Sequence, residues 1–314
     1  METTHIKSKT ALDYKINRLQ NLIEYLNETF EKEHECNFHP FVLKDNKVTG
    51  IFGIAHISSD FFPIHSLYGA NLIEGYIAQS IASTHETQPF KTARVNKLLK
   101  KTLNKPAQVP SIVTFDRLCR IVNLLNYLTL PSNGNFLISE VNPRYILSIP
   151  YNHGVYFADI IVRADLKLEN IVISMTTVGI HQEHYPQLLK GLNNYRTLGY
   201  KIALNMGHLI LTDKKISFLN QLAPDYVIVD SPNVSQSMLN FNSSLVDTFR
   251  YLKKLTISSG GKMILKNVKY PEQSVFASQI GFNLVMGDSH ENSFEFQGLV
   301  VNNKHDISSH IYSG

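Results

Sequence analysis

The stretch from Tyr200 to Pro232 constrains the fold more than any other part of this chain. Two short apolar runs, at 202–204 and 226–229, flank one helix-length segment, and both run out into polar residues. Strands buried on both faces read as near-continuous apolar runs, and a parallel pair needs a helical crossover between its members. The stretch is therefore a strand–helix–strand unit of a parallel sheet. In closed barrels of such units the chemistry sits at the C-terminal ends of the strands. Here those ends carry Asn205, Met206 and Asp230. Asparagine and methionine are poor acid–base groups and poor ligands for hard cations, so frame and chemistry disagree.

The alternation continues on both sides. Strands are expected near 135–141, 170–176, 201–206, 226–230, 262–268, 282–286 and 294–301. Helices are expected near 115–128, 154–164, 185–197, 212–222, 243–259 and 271–280. With the strand ahead of Ile57, about eight strands alternate with helices over about 250 residues, the arithmetic of a TIM-type (β/α)8 barrel in the α/β class.

Nearer the start, Leu12, Ile16, Leu19, Leu22, Ile23, Leu26 and Phe30 recur at three- and four-residue steps, an amphipathic helix. Its face covers the barrel base or makes a dimer contact. A turn at Lys44-Asp45-Asn46-Lys47 joins 41–43 to 48–57 as a hairpin. Residues 61–110 read as a helical insertion: an apolar helix around 71–82, then a basic one. The basic one carries Lys91, Arg94, Lys97, Lys100, Lys101 and Lys105, and Pro106 and Pro110 close it. The expected organisation is an N-terminal helical extension over 1–36 and a barrel domain over 37–314 that contains the insertion.

A chain of 314 residues with 43% hydrophobic and 18% charged residues can bury a large core. Its net charge of +4 is too small to imply nucleic acid. The basic helix also lacks the interleaved aromatics on which bases stack. Cys36 and Cys119 cannot build a disulfide framework or a four-ligand zinc site, and are read as small apolar residues. His181-Gln182-Glu183-His184 precedes a helix rather than lying inside one and lacks a neighbouring third ligand, so it reads as a helix start. With no signal-peptide core and no apolar run of about 18 residues, the expectation is a soluble cytoplasmic protein without membrane contact.

Several motifs in order resemble the EAL domain, the cyclic di-GMP phosphodiesterase barrel of bacterial signalling, over roughly residues 37–290. Asp116-Arg117-Leu118-Cys119-Arg120 with Asn126-Tyr127-Leu128 resembles a helix of one EAL subgroup. Val141-Asn142-Pro143-Arg144 and His153-Gly154 are similar to that subgroup's second strand and following helix. Leu198 to Leu204 resembles the lead into the family's paired aspartates, and Pro224 to Asp230 its Pro-Asp-x-x-Lys-x-Asp strand. Gly261-Lys262-Met263-Ile264, Pro271-Glu272-Gln273 and the segment from Gly281 to Gly287 are similar to its last motifs.

The resemblance implies a ring of Glu, Asn, Glu, Asp, Asp, Lys and Glu at strand ends, which holds divalent cations and cleaves a phosphodiester. Carried over position by position, the Glu-Ala-Leu triplet falls on Phe52-Gly53-Ile54 and the Asn on Glu140. The next Glu falls on Ser174, the paired aspartates on Asn205 and Met206, and the lysine on Ile228. Two later glutamates become Lys266 and Lys269, and the late Gln-Gly becomes Met286-Gly287, with Gln297-Gly298 further on. Asp230 alone survives from the acidic set. Phe52 and Met206 are expected to fill the mouth. Lys266 is expected to pair with Glu140 or Asp230. Two metal ions bring about four positive charges, and two lysines in place of glutamates add repulsion.

The expectation is a catalytically inactive relative without catalytic residues, metal or cofactor, acting through an unidentified protein partner in motility, biofilm, pilus or transcription control. Arg94, Lys97, Lys100 and Lys101 are the candidate partner-binding residues. Two alternatives remain: a metal-independent cyclic di-GMP receptor, disfavoured by the losses in the ring, and an unrelated barrel enzyme using Glu140, Asp230, Lys266 and Lys269. A homodimer through barrel helices stays open.

Overall fold

The computed structural model describes residues 2–35, 37–68, 72–83, 90–91, 109–130, 134–207, 211–231 and 243–287. Its strands are β1 (Phe41–Lys44), β2 (Lys47–Phe52), β3 (Ala55–Ser66), β4 (Ile73–Ser83), β5 (Phe90–Lys91) and β6 (Phe136–Glu140). They continue with β7 (Ile171–Thr176), β8 (Lys201–Asn205), β9 (Tyr226–Asp230), β10 (Lys262–Val268) and β11 (Leu284–Gly287). The α-helices are α1 (Glu2–His34), α2 (Val109–Tyr127), α3 (Pro143–Ser148) and α4 (Val155–Arg163). The rest are α5 (Tyr185–Thr197), α6 (Asp213–Leu222), α7 (Ser243–Ser258) and α8 (Pro271–Ile280).

Eight strands close a ring in the order β3-β4-β6-β7-β8-β9-β10-β11 and back to β3. Strand β3 runs antiparallel to both its neighbours, and the other ring pairings are parallel. This is an eight-stranded barrel with flanking helices, as the strand–helix alternation implies.

Two expectations about its first strands are corrected. The apolar helix expected around 71–82 is strand β4. Ile73, Ile77 and Ile81 are four residues apart, a spacing that suits one helix face and, being even, one strand face equally well. Here β4 pairs with β3 along ten residues and with β6, and this tertiary pairing decides the matter. The strand expected over 48–57 splits into β2 and β3, and only β3 belongs to the ring. The ring closes without the strand expected at 294–301, which lies outside the described residues, as does most of the expected basic helix.

The β1–β2 hairpin stands on the ring as an outer flap. Its turn residues Asp45 and Asn46 both have positive φ, 50° and 59°, the two-residue geometry that matches strand twist. Two asparagines fasten this hairpin to helices. Asn27 of α1 donates to Phe41 O at 2.9 Å and accepts from Phe41 N at 3.0 Å. Asn126 of α2 bonds Val48 N and O in the same two-way manner, each at 2.8 Å. Helix α1 buries Leu19, Leu22, Ile23 and Leu26. Its other contacts run to α4 and just beyond it: Arg18 pairs with Asp165 at 3.1 Å, and Arg163 lies over the Tyr25 ring at 4.0 Å. The described part of the amphipathic stripe thus lies within the protein, beside the flap and α4.

Two apolar cores follow from strand parity. Ile64, Phe136, Ile138, Val172, Ala203, Tyr226, Ile228, Ile264 and Leu284 fill the bore. Their sequence neighbours join the larger layer between ring and helices. In that layer Gly154 starts α4 with φ of 86°, and a Cβ there would stand 2.6 Å from the Tyr195 ring.

Candidate functional site

Parity also fixes which side chains face the mouth. Two residues beyond each bore residue stand Glu140 on β6, Ser174 on β7, Asn205 on β8, Asp230 on β9, Lys266 on β10 and Met286 on β11. The ladders set Glu140 beside Ser174 and Asp230 beside Lys266. Lys266 Nζ lies 3.0 Å from Asp230 Oδ1, with the two side chains 24% and 21% exposed. This is one of the two pairings expected for Lys266. Asn205 Oδ1 accepts from Gly207 N at 3.0 Å, an Asx turn that spends its side chain on the strand exit. Ile228 is buried in the bore.

Glu140 behaves differently. No hydrogen bond or ion pair reaches its carboxylate among the described residues. It is exposed at the end of β6, and desolvation by the groups around it pushes its pKa up. Lys266 partly opposes that rise, and the carboxylates of Asp116 and Asp230 add to it.

Three sequence placements change. Phe52 is not on a ring strand: it ends β2, and Gly53-Ile54 form the turn into β3. The ring strand beside β6 is β4, so Ile77 and Gln79 occupy the place given to Phe52. The hairpin had to be seen folded outward before this register could be read. Met206, 1% exposed, points out of the ring with Leu204 rather than into the mouth, and its Sδ lies 3.9 Å from Thr177 Oγ1. Being one residue past Asn205, it falls on the opposite face. Lys269 lies past the end of β10, exposed, in the turn that Gln273 caps through Oε1. Arg94, Lys97, Lys100 and Lys101 lie outside the described residues, as does Gln297-Gly298.

Beside the mouth opens a cleft of about 500 Å³, between α2, α3, the end of β4 and the loop after β7. Its apolar walls include Phe52, Phe115, Leu147 and Ile180, and its charged lining includes Glu140 and Arg144. Phe52 and Phe115 pack edge to face at 5.2 Å. Arg144 is placed by local sequence: Asn142 caps α3 by accepting from Arg144 N at 3.0 Å, and Pro143 takes the first helical position. Of the cleft residues, Gln79, Phe115 and Arg144 were not anticipated. Only the Asn-Pro helix start could have pointed to one of them.

Behind the cleft lies a satisfied charge pair. Asp116 accepts from Arg120 Nε and from Asn142 N, each at 2.8 Å. The Arg120 guanidinium lies 4.8 Å over Tyr145 and 5.1 Å over Phe157. Cys119 is a free thiol whose pKa burial pushes up to about 12, which makes it inert as a nucleophile. His181 pairs with Glu183 at 3.5 Å just ahead of α5, the helix-start role expected for that tetrad.

The divalent cations implied by the resemblance need several converging oxygen ligands. Among the described residues the strand ends of the mouth present two carboxylates, and Lys266 forms an ion pair with one. No group of three or more His, Cys, Asp or Glu converges there or elsewhere among the described residues. This donor set does not fit a metal pair. Nor is any helix of the described residues long and apolar enough to cross a membrane.

No family model matches the sequence, and no curated protein matches it. Solved structures do. The YkuI protein of Bacillus subtilis, with an EAL domain and in complex with substrate c-di-GMP and calcium, is 16% identical with a TM-score of 0.56. That match covers 74% of this chain and 54% of YkuI. An EAL domain protein from Listeria monocytogenes is 18% identical with a TM-score of 0.56, over 74% of this chain and 85% of that one. Klebsiella pneumoniae BlrP1, in a calcium and cyclic di-GMP complex, is 15% identical with a TM-score of 0.57, over 74% and 54%. The chain therefore spans little more than half the length of two of these three neighbours. At such identities the likeness speaks for architecture, and the fold of this chain is the EAL-type barrel.

Proposed function

We propose that this protein is a catalytically silent EAL-type barrel that acts in bacterial signalling by binding another protein. One observation carries the reading: the Lys266 ammonium sits 3.0 Å from Asp230 at the mouth, where metal-assisted hydrolysis would need unpaired carboxylates. A tethered cation repels divalent ions and occupies the carboxylate they would share. Asn205, bonded to Gly207 N, and Ile228, buried in the bore, offer nothing in exchange.

Calorimetric titration of cyclic di-GMP, with and without magnesium or calcium, tests the reading together with a hydrolysis assay. Neither hydrolysis nor metal-dependent binding is expected. Turnover of cyclic di-GMP that stops in Asp230→Ala would overturn it. Tight binding without metal would favour the receptor alternative, which the neighbours' complexes with cyclic di-GMP keep worth testing. The candidate docking residues are still Arg94, Lys97, Lys100 and Lys101. Charge reversal at Lys97 and Lys101 is expected to abolish capture of the partner while leaving the melting curve unchanged.

A further inference from the structure

The cleft beside the mouth has the volume of a small-molecule site. Such sites run from about 300 to 1,000 Å³, mostly apolar, with a few polar groups that set orientation. This one measures about 500 Å³. Buried Ile57, Ala78 and Ala82 and the Phe52–Phe115 pair supply apolar wall. The charge of an occupant depends on which lining groups are still unbonded. Asp116 accepts on both oxygens, and Arg120 neutralises it. Asn123, also buried, accepts from Ser59 Oγ at 2.8 Å and donates to Ser80 Oγ at 3.1 Å. Glu140, Arg144, His181 and His184 are exposed and keep their water. A charged ligand entering the buried part would therefore lose its hydration and meet no free counter-charge, a cost that nothing in the lining offsets. An uncharged ligand avoids it. Gln79 differs from the other polar residues of the lining: it is half-buried and has no hydrogen bond among the described residues. Its amide offers two donors and one acceptor oxygen, a match for a neutral polar group.

We propose that this cleft binds a small uncharged aromatic compound, with its ring against Phe115 and a neutral amide or hydroxyl group on Gln79. This site does not depend on whether the barrel is catalytically silent.

Benzamide is a suitable probe, because benzamidine and benzoate share its shape and carry a positive and a negative charge. At about ten times its Kd, benzamide is expected to raise Tm by about 3 °C, because it binds only the folded state. The two charged analogues are expected to leave Tm unchanged at the same concentrations. Toluene keeps the ring and lacks the amide. Gln79→Leu is expected to weaken benzamide about tenfold while leaving the toluene shift at least as large as in the parent. Phe115→Ala is expected to weaken both about tenfold by removing the aromatic wall. The proposal is overturned if either charged analogue stabilises as well as benzamide, or if benzamide gives no shift up to its solubility. It is also overturned if the benzamide shift survives Gln79→Leu, or if that variant weakens toluene as much as benzamide.

Discussion

Asp116 and Glu140 are carboxylates on adjoining elements, α2 and β6, and both line the same cleft. Asp116 is fully committed: Arg120 and a backbone N–H take its two oxygens, and the aromatic rings of Tyr145 and Phe157 close over the guanidinium. Glu140 is exposed and has no donor among the described residues, although a lysine stands nearby on β10. A buried charge whose bonds are all made fixes how helices dock, because taking away one partner strands the other in a low-dielectric interior. An exposed carboxylate without a protein donor keeps its water and fixes no packing. Counting acidic residues does not tell these two apart; counting their hydrogen bonds does.

The contrast can be broken most directly at Arg120. Arg120→Met leaves Asp116 buried without its cation and is expected to cost about 3–5 kcal/mol in urea unfolding. The double change Asp116→Asn with Arg120→Met is expected to recover a large part of that, since no charge is then stranded. A cost near zero for Arg120→Met would mean that the pair does not hold α2 in place.

Lys266→Ala is expected to cost less, about 1 kcal/mol or below, because the Lys266–Asp230 pair is partly exposed and screened. Its informative effect is on Glu140, whose pKa is expected to climb further once the opposing ammonium is gone. Direct titration of the carboxyl by NMR, in the two proteins side by side, reads this. An unchanged Glu140 pKa would remove Lys266 from the account.

The smallest effect sharpens the comparison through pH. The folded protein holds the Glu140 proton more tightly than the unfolded chain, so stability falls as pH rises from the ordinary value of 4.5 through the raised one. The groups that face it act in both directions: Lys266 lowers its pKa, while Asp116 and Asp230 raise it. Glu140→Gln removes this slope. The variant is expected to melt above the parent at pH 8, with the two curves converging below about pH 4.5. A variant that melts lower at pH 8 would show that Glu140 has a partner there.

Much of the barrel was legible in the chain because parallel strands are buried on both faces and interrupted by helices of ordinary length. Helices α5 and α8 and strands β9 and β10 fall where the pattern puts them. The start of the ring was not legible. Isoleucines four apart fit helix and strand alike, and the Asp45-Asn46 turn marks a hairpin without saying whether that hairpin belongs to the ring. An error there moved Phe52 into a place that Ile77 and Gln79 hold. Met206 failed for a smaller reason: its neighbour Asn205 ends the strand, and a single residue of register changes the face.

The sequence by itself determined that strands and helices alternate and that the strand ends are poor in carboxylates, and it left Lys266 to pair with either Glu140 or Asp230. These are properties of residue type and spacing, and they hold wherever the segments pack. Only the tertiary structure decided which strands close the ring, that Lys266 reaches Asp230 at 3.0 Å, and that Glu140 lines a cleft with no donor to it among the described residues. Those outcomes depend on contacts between residues tens to more than a hundred positions apart. Spacing along the chain carries no distance information at that range, because the closing geometry of the barrel sets it.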